Sequence, residues 1–291
     1  MHHSLWKTMW KEIRHDWIAV AGLIVFVLII AATYIGSLFI DEVAMTMMSD
    51  DLATFRFHPP IWGSPFAPMG FDSMGRNVFH YFIIGSRTSF NIAFMVTGLS
   101  VSFGMLVGLV AGYFGGLVDW VVMRVLDFFS MVPTIMIFVV IVIAMQPGPV
   151  GFSIMLAAFQ WVGTARLIRA MTLRQGVMEY VHASKTLGSP NFIIIFREVM
   201  PNLVSIITAN LTLALANNVG IETGLTMLGI GLPHGYPSLG FLINFGTFPY
   251  NMLNRLWLWL PAAIMVIIMM LCINFVGQAL NRAADAKKRR V

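Results

Sequence analysis

Apolar residues run along this chain in long charge-free blocks instead of alternating with polar ones. No Asp, Glu, Lys or Arg occurs within residues 17–40, 88–118, 128–165, 199–221 or 256–280. A helix that crosses the hydrocarbon of a bilayer needs about 20 mostly apolar residues. Four of the blocks each predict one crossing. The 128–165 block is long enough for two and is divided by Pro147-Gly148-Pro149. Proline has no N–H to give and biases its predecessor away from the helical region, so this tripeptide predicts a tight hairpin between two spans. The pattern therefore predicts an all-α polytopic membrane protein with six transmembrane helices. The first block is too long for the apolar core of a signal peptide, and Asp41-Glu42 follows it where a small-residue cleavage site is expected.

Charge supplies the orientation. Lys7, Lys11 and Arg14 precede the first span, and Arg282, Lys287, Lys288, Arg289 and Arg290 follow the last. An even number of spans puts both ends on one side, and the excess of Lys and Arg makes that side cytoplasmic. The 167–197 segment then lies inside and carries Arg169, Arg174, Lys185 and Arg197. The 41–86 loop lies outside and is acidic through Asp41, Glu42, Asp50, Asp51 and Asp72. Composition agrees with the span pattern: 58% of residues are hydrophobic and 11% charged, against roughly 25% charged in soluble domains. An ordinary soluble enzyme, a disordered chain and a soluble nucleic-acid binder are excluded. The net charge of +5 reads as a positive-inside anchor, with no nucleic-acid partner and with membrane lipid as the surroundings. The one cysteine, Cys272, sits in an apolar block, and the 22 methionines read as core filler.

The segment from Arg174 to Asn202 is the part richest in local signals. Gly188 suits the left-handed position that ends a helix. Ser189 is placed to cap a second helix, with Pro190 at its first position. The apolar run beyond it reaches Pro201, where the fifth span is expected. The prediction is a compact helix-turn-helix knob between two spans. Its small residues Ala183, Ser184 and Gly188 permit close approach by another surface.

These residues resemble a known family. Glu179-Tyr180-Val-His-Ala183-Ser184-Lys-Thr-Leu187-Gly188, with Phe192 and Pro201-Asn202 downstream, is similar to the EAA loop of type I ABC importer permeases. Gly70-Phe-Asp72-Ser-Met-Gly75-Arg76-Asn77, Gly85-Ser-Arg87-Thr-Ser89, Arg124-Val-Leu-Asp127 through Pro133, and Glu222 through Gly231 resemble further signatures of the oligopeptide, dipeptide and nickel branch, in its C-type permease. Phe71, Asn77, Ser184 and Gly224 depart from the usual residues of those signatures. The resemblance covers residues 70–285 in order. It implies a bacterial cell-membrane (inner-membrane) subunit that forms half of a translocation pathway. It also implies a second homologous permease, two ABC ATPase subunits and an external solute-binding protein as partners. In that family the loop is a coupling helix seated in a groove of the ATPase. Peptides are the first expectation for the solute, with nickel or metal–metallophore complexes next. The chain divides into residues 1–86, holding the first span and outer loop, and residues 87–291, the permease core.

The chain has no G-x-x-x-x-G-K-[ST] loop and no Gly-Lys pair, so it lacks that device for holding a nucleotide. It is expected to have no catalytic role and no cofactor of its own, with ATP and Mg bound by the partner ATPases. The seven histidines are scattered, His2-His3 aside, and no metal site is predicted. A stand-alone secondary transporter would require intramembrane ionisable groups; Asp127 is the one candidate, and the knob would have no task. A membrane-embedded enzyme would require a clustered nucleophile, base or metal set.

Charges and amides inside spans mark further candidates. Arg124 and Asp127 lie at i, i+3 and read as a structural ion pair or a gating element. Asn210 and Asn217 share a helix face seven residues apart, and Asn218 adjoins them; they read as interhelical contacts or, with Glu222, as part of the translocation path. Gly104, Gly108 and Gly112 recur every four residues and predict close helix packing within the chain or against a partner. Asp72 reads as an Asx-type turn capping the next helix, or as a contact for an arriving binding protein.

Overall fold

The computed structural model describes residues 16–41, 55–61, 67–233 and 235–288, with side chains to residue 282. The basic residues Lys7, Lys11, Arg14, Arg289 and Arg290 and the acidic Glu42, Asp50 and Asp51 lie outside the described residues, as do the side chains of Lys287 and Lys288.

Among the described residues the fold is helical, with only an isolated bridge between Phe71 and Asn77. The helices are α1 (Trp17–Ser37), α2 (Val78–Phe114), α3 (Gly116–Met131), α4 (Thr134–Met145), α5 (Pro149–Gly176), α6 (Glu179–Thr186), α7 (Asn191–Met227), α8 (Leu239–Asn244), α9 (Pro249–Asn254) and α10 (Leu256–Lys288). Helices α1, α2, α5, α7 and α10 are each long and apolar enough to cross a membrane. Helices α3 and α4 reach that length together, bent by 71° at their junction. Five of the expected spans are thus continuous helices, and the count reaches six when the bent α3–α4 pair is taken as one span.

The break follows from Pro133. Val132 before it is extended, as a pre-proline residue prefers, so the helix ends and restarts. The Pro147-Gly148-Pro149 hairpin forms as expected: Gln146 closes α4 in the left-handed conformation, and Pro149 opens α5 at its first turn.

Most spans extend past their charge-free blocks, α10 among them, which runs on to Lys288. Helix α2 begins at Val78, ten residues before the block at residue 88, because Asn77 caps it by accepting from the N–H groups of Phe79 and His80. The position expected to divide the chain, residue 86, therefore lies within α2. Helix α5 continues to Gly176 and includes Arg166 and Arg169. Helix α7 starts at Asn191, so the second helix of the knob and the fifth span are continuous. Pro201 is inside that helix, preceded by a π-helical turn at Ile194–Val199. A proline ring collides with the carbonyl four residues back, and a wider turn relieves that collision.

Helices α2 and α5 pack closest. A Cβ added at Gly104, Gly108 or Gly112 would stand 2.6 Å from Trp161 O, Ala165 O or the Thr172 Cβ, respectively. The four-residue glycine pattern is therefore spent within the chain. Helix α10 lies between α1 and α7, where Gly22 meets the backbone of Cys272. At one end of the bundle α6 projects; at the other, α8 and α9 fold back over the helix ends.

Candidate functional site

The knob is built on α6. Glu179 occupies its first turn and Lys185 its last, each favourable to the helix dipole. Gly188 ends it with φ of 80°, as its position in the sequence predicted. Gly188 N donates to Lys185 O at 3.0 Å and Ser189 N to Ser184 O at 3.1 Å, which satisfies two terminal carbonyls. Ser189 does not cap the next helix. Pro190 is the extended residue before Asn191, so the expected cap is displaced by one position.

Two sides of this knob differ. Val181 is fully buried with Ile194, Ile195, Val199 and Leu203 of α7, Leu109 of α2 and Ile168 of α5. The outer side carries Leu187 at 85% exposure, Phe192 at 71% and Val177 at 72%, with Glu179, Ala183 and Gly188 also exposed. Polar bonds fix the frame between them. The Tyr180 hydroxyl donates to Gln175 Oε1 at 2.7 Å, and Ser184 Oγ donates to Glu198 Oε1 at 2.7 Å. Pro201 is half-buried within α7, two residues before buried Leu203. Burial holds the Tyr180 phenol above its usual range, and nearby Glu198 adds to the effect. The sequence marked the knob residues one by one; the exposed Leu187–Phe192 pair emerges only when α6 folds back on α7.

At the opposite end, residues 70–77 form a tight turn. Asp72 Oδ1 accepts from Met74 N at 2.8 Å and Arg76 N at 2.9 Å, while Oδ2 accepts from Arg76 Nε at 2.8 Å. Asp72 is 1% exposed and Arg76 6%. The Arg76 guanidinium lies over the rings of Tyr81 and Phe241, at 4.7 and 5.7 Å. Asp72 thus makes the predicted Asx turn, but the cap of α2 is Asn77. The buried pair ties the turn to α2 and α8.

Comparison with known proteins fits this arrangement. Residues 104–290 match the family described as "Binding-protein-dependent transport system inner membrane component", and residues 4–60 match "N-terminal TM domain of oligopeptide transport permease C". The oligopeptide transport system permease protein OppC of Lactococcus lactis subsp. lactis (strain IL1403) is 39% identical over 290 residues, covering 98% of this chain and 96% of that protein. The dipeptide transport system permease protein DppC of Bacillus subtilis (strain 168) is 30% identical, covering 99% of this chain and 87% of that protein.

The chain belongs to the binding-protein-dependent transport permeases.

The polar groups inside the spans of this permease find partners that spacing alone does not reveal. Arg124 reaches Asp127 at only 3.8 Å, whereas Arg166 of α5 reaches it at 3.1 Å and also donates to Leu126 O. The expected i, i+3 pair is therefore the weaker half of a three-residue group. A second pair, Asp119 with Arg169, also joins α3 to α5. Sequence spacing does not mark it, since fifty residues separate the two charges.

The amides divide differently from the expected i, i+7 pair. Asn210 donates to Thr164 Oγ1 of α5 at 3.1 Å, and Asn218 donates to Thr97 Oγ1 of α2 at 2.9 Å. Asn217 is exposed on the surface of α7. Glu222 is completely buried, with the hydroxyls of Thr223 and Thr226 donating to its carboxyl group at 3.2 and 3.3 Å and that of Ser89 beside it. It thus packs beneath the α8 segment and does not line an open surface of the chain. Around it the backbones touch: a Cβ on Gly240 would stand 2.5 Å from Thr223 O, and Leu239 N donates to Ser89 Oγ. Among the described residues no group of three His, Cys, Asp or Glu side chains could hold a metal ion.

Proposed function

We propose that this permease forms half of a peptide pathway in an ATP-driven importer and takes its energy from separate ATPase subunits docked on the knob. The observation that carries the coupling reading is the pairing of a fully buried Val181 with exposed Leu187 and Phe192 around a left-handed glycine. A knob anchored through Val181 on one side, with Val177, Leu187 and Phe192 exposed at its two ends on the other, offers an apolar contact for a partner to cover. An ATPase groove lined with apolar side chains meets that requirement. Glu179, Tyr180, Ala183, Ser184, Gly188 and Pro201 shape the contact, and Leu187 and Phe192 fill it.

Peptide cargo is supported by relatives named for oligopeptide and dipeptide transport. An external solute-binding protein delivers the peptide, and a second, homologous permease completes the pathway. Exposed Asn217 supplies an amide group suited to a peptide backbone on the open side of α7, while Asn210 is held by Thr164 of α5. The knob faces the cytoplasm together with both chain ends, as the basic residues of the sequence require.

Replacement of both Leu187 and Phe192 by Asp tests the coupling reading. The complex is purified through a tag on the permease, and the retained ATPase is measured. Loss of the ATPase from a well-folded permease is expected; full retention with normal uptake overturns the assignment. Mass spectrometry of ligand co-purifying with the binding protein tests the cargo.

A further inference from the structure

Tyr113 is the next-to-last residue of α2, just before the chain turns at Gly115, and it is buried. Its hydroxyl donates to Asn191 Oδ1, the first residue of α7, at 2.9 Å across 78 positions of sequence. The Lys185 ammonium of α6 stands over the same ring at 4.9 Å. One side chain from α2 therefore holds both halves of the knob, the end of α6 and the start of α7. Beneath it, Leu109 of α2 and Ile168 of α5 share the apolar cluster that contains Val181.

The support under Tyr113 is stiff. Gly104, Gly108 and Gly112 bring the α2 and α5 backbones so near that no added Cβ fits without displacement. The Asp119–Arg169 and Asp127–Arg166 pairs fasten α3 to the same unit. Covalent continuity carries a push on the knob along α7 and, through Val177-Met178, along α5, but into α2 it passes only by packing. Leu109 supplies the apolar part of that contact and Tyr113 the polar part, to both Asn191 and Lys185.

We infer that Tyr113 is a positioning residue for coupling: it latches the knob to the α2–α5 pair, so that knob, α2 and α5 move as one body. This rests on the proposed docking of ATPase subunits at the knob. Without the latch the ATPases still bind and hydrolyse ATP, because Leu187 and Phe192 are untouched, but less of their motion reaches α2 and α5.

The test uses the whole complex with its binding protein, reconstituted in vesicles. Tyr113→Phe keeps the ring under Lys185 and removes the bond to Asn191. Uptake of a defined mixture of short peptides per ATP hydrolysed is expected to fall roughly three- to tenfold, the scale of one lost hydrogen bond. ATPase retention is expected to stay normal. Asn191→Ala should give the same loss, and the double variant no more than either single one. An unchanged ratio in Tyr113→Phe, or fully additive losses, overturns the latch.

A second arm depends on neither the cargo nor the phenol. In a Cys272→Ala background, Tyr113→Cys with Asn191→Cys should lose stimulation of ATP hydrolysis by the binding protein. A short bis-maleimide joining the two thiols should restore it, since the joined parts move together. Wild-type stimulation before linking, or a link that forms without restoring it, contradicts the inference. Gly188→Val is run alongside. If that variant too keeps its ATPase and its uptake, the docking reading has failed; if it fails while Tyr113→Phe is unaffected, only the latch has.

Discussion

Arg166 of α5 stands 3.1 Å from Asp127 of α3, closer than Arg124 one turn away on α3 itself at 3.8 Å. Arg124 is mostly exposed, whereas Arg166 also bonds the Leu126 carbonyl. Removal of Arg166 should therefore cost more than removal of Arg124. Both side chains of the closer pair retain solvent access, so the loss from Arg166→Gln is expected near 1 kcal/mol, and that from Arg124→Gln well below it. Thermal unfolding in detergent compares the two; a larger effect from Arg124 would reverse the assignment of partners.

The α2–α5 contact makes a sharper claim about glycine. Gly108→Ala places a methyl group 2.6 Å from Ala165 O, so the helices must separate, at about 1–3 kcal/mol. Gly98→Ala on the same helix meets open space and should be neutral or slightly stabilising through helix propensity. Melting temperatures of the two variants are expected to move in opposite directions or to differ by several degrees. Equal behaviour would contradict the packing.

Asp72 and Arg76 form a buried pair with little tolerance for halves. Asp72→Ala strands the Arg76 guanidinium between Tyr81 and Phe241, a loss of about 3–5 kcal/mol. Arg76→Lys should also fail, because an ammonium supplies neither the planar stack nor the fork to the carboxylate. The measurement is protease cleavage within residues 55–77 in intact vesicles. Rapid cleavage is expected in both variants, with slow cleavage in the parent.

At Gly188 the backbone, and not crowding, sets the expectation. A Cβ there meets nothing within 4 Å, yet φ is 80°. Val resists that conformation, and Asn adopts it at smaller cost. Gly188→Val is expected to insert normally while losing ATPase retention and uptake, and Gly188→Asn to keep a large part of both. Co-purification with uptake separates them. Equal loss in both variants would show that bulk at the docked surface, rather than the turn, is decisive.

Orientation is open to direct labelling. Leu187 and Leu253 are exposed at opposite ends of the bundle. In a Cys272→Ala background, Leu253→Cys should react with an impermeant maleimide added outside intact cells. Leu187→Cys should react only after permeabilisation. Labelling of both from one side would refute the six-span arrangement.

The features legible in the sequence are those set by neighbouring residues. Charge-free blocks define spans because a bilayer rejects unpaired charge wherever the rest of the chain lies. Pro147-Gly148-Pro149, Gly188 and Asp72 act through local torsions and hydrogen bonds, and each turn forms at its predicted place. Span ends were legible less well, since capping by Asn77 and a π-helical turn before Pro201 let helices run beyond their apolar blocks. Tertiary structure alone chose the partners: Arg166 over Arg124 for Asp127, Asn218 with Thr97, α5 as the helix facing Gly104, Gly108 and Gly112, and burial of Glu222 beneath α8. Those choices join positions tens of residues apart. They depend on which helix faces meet once six spans are packed, and a periodic apolar pattern carries no label for its neighbour.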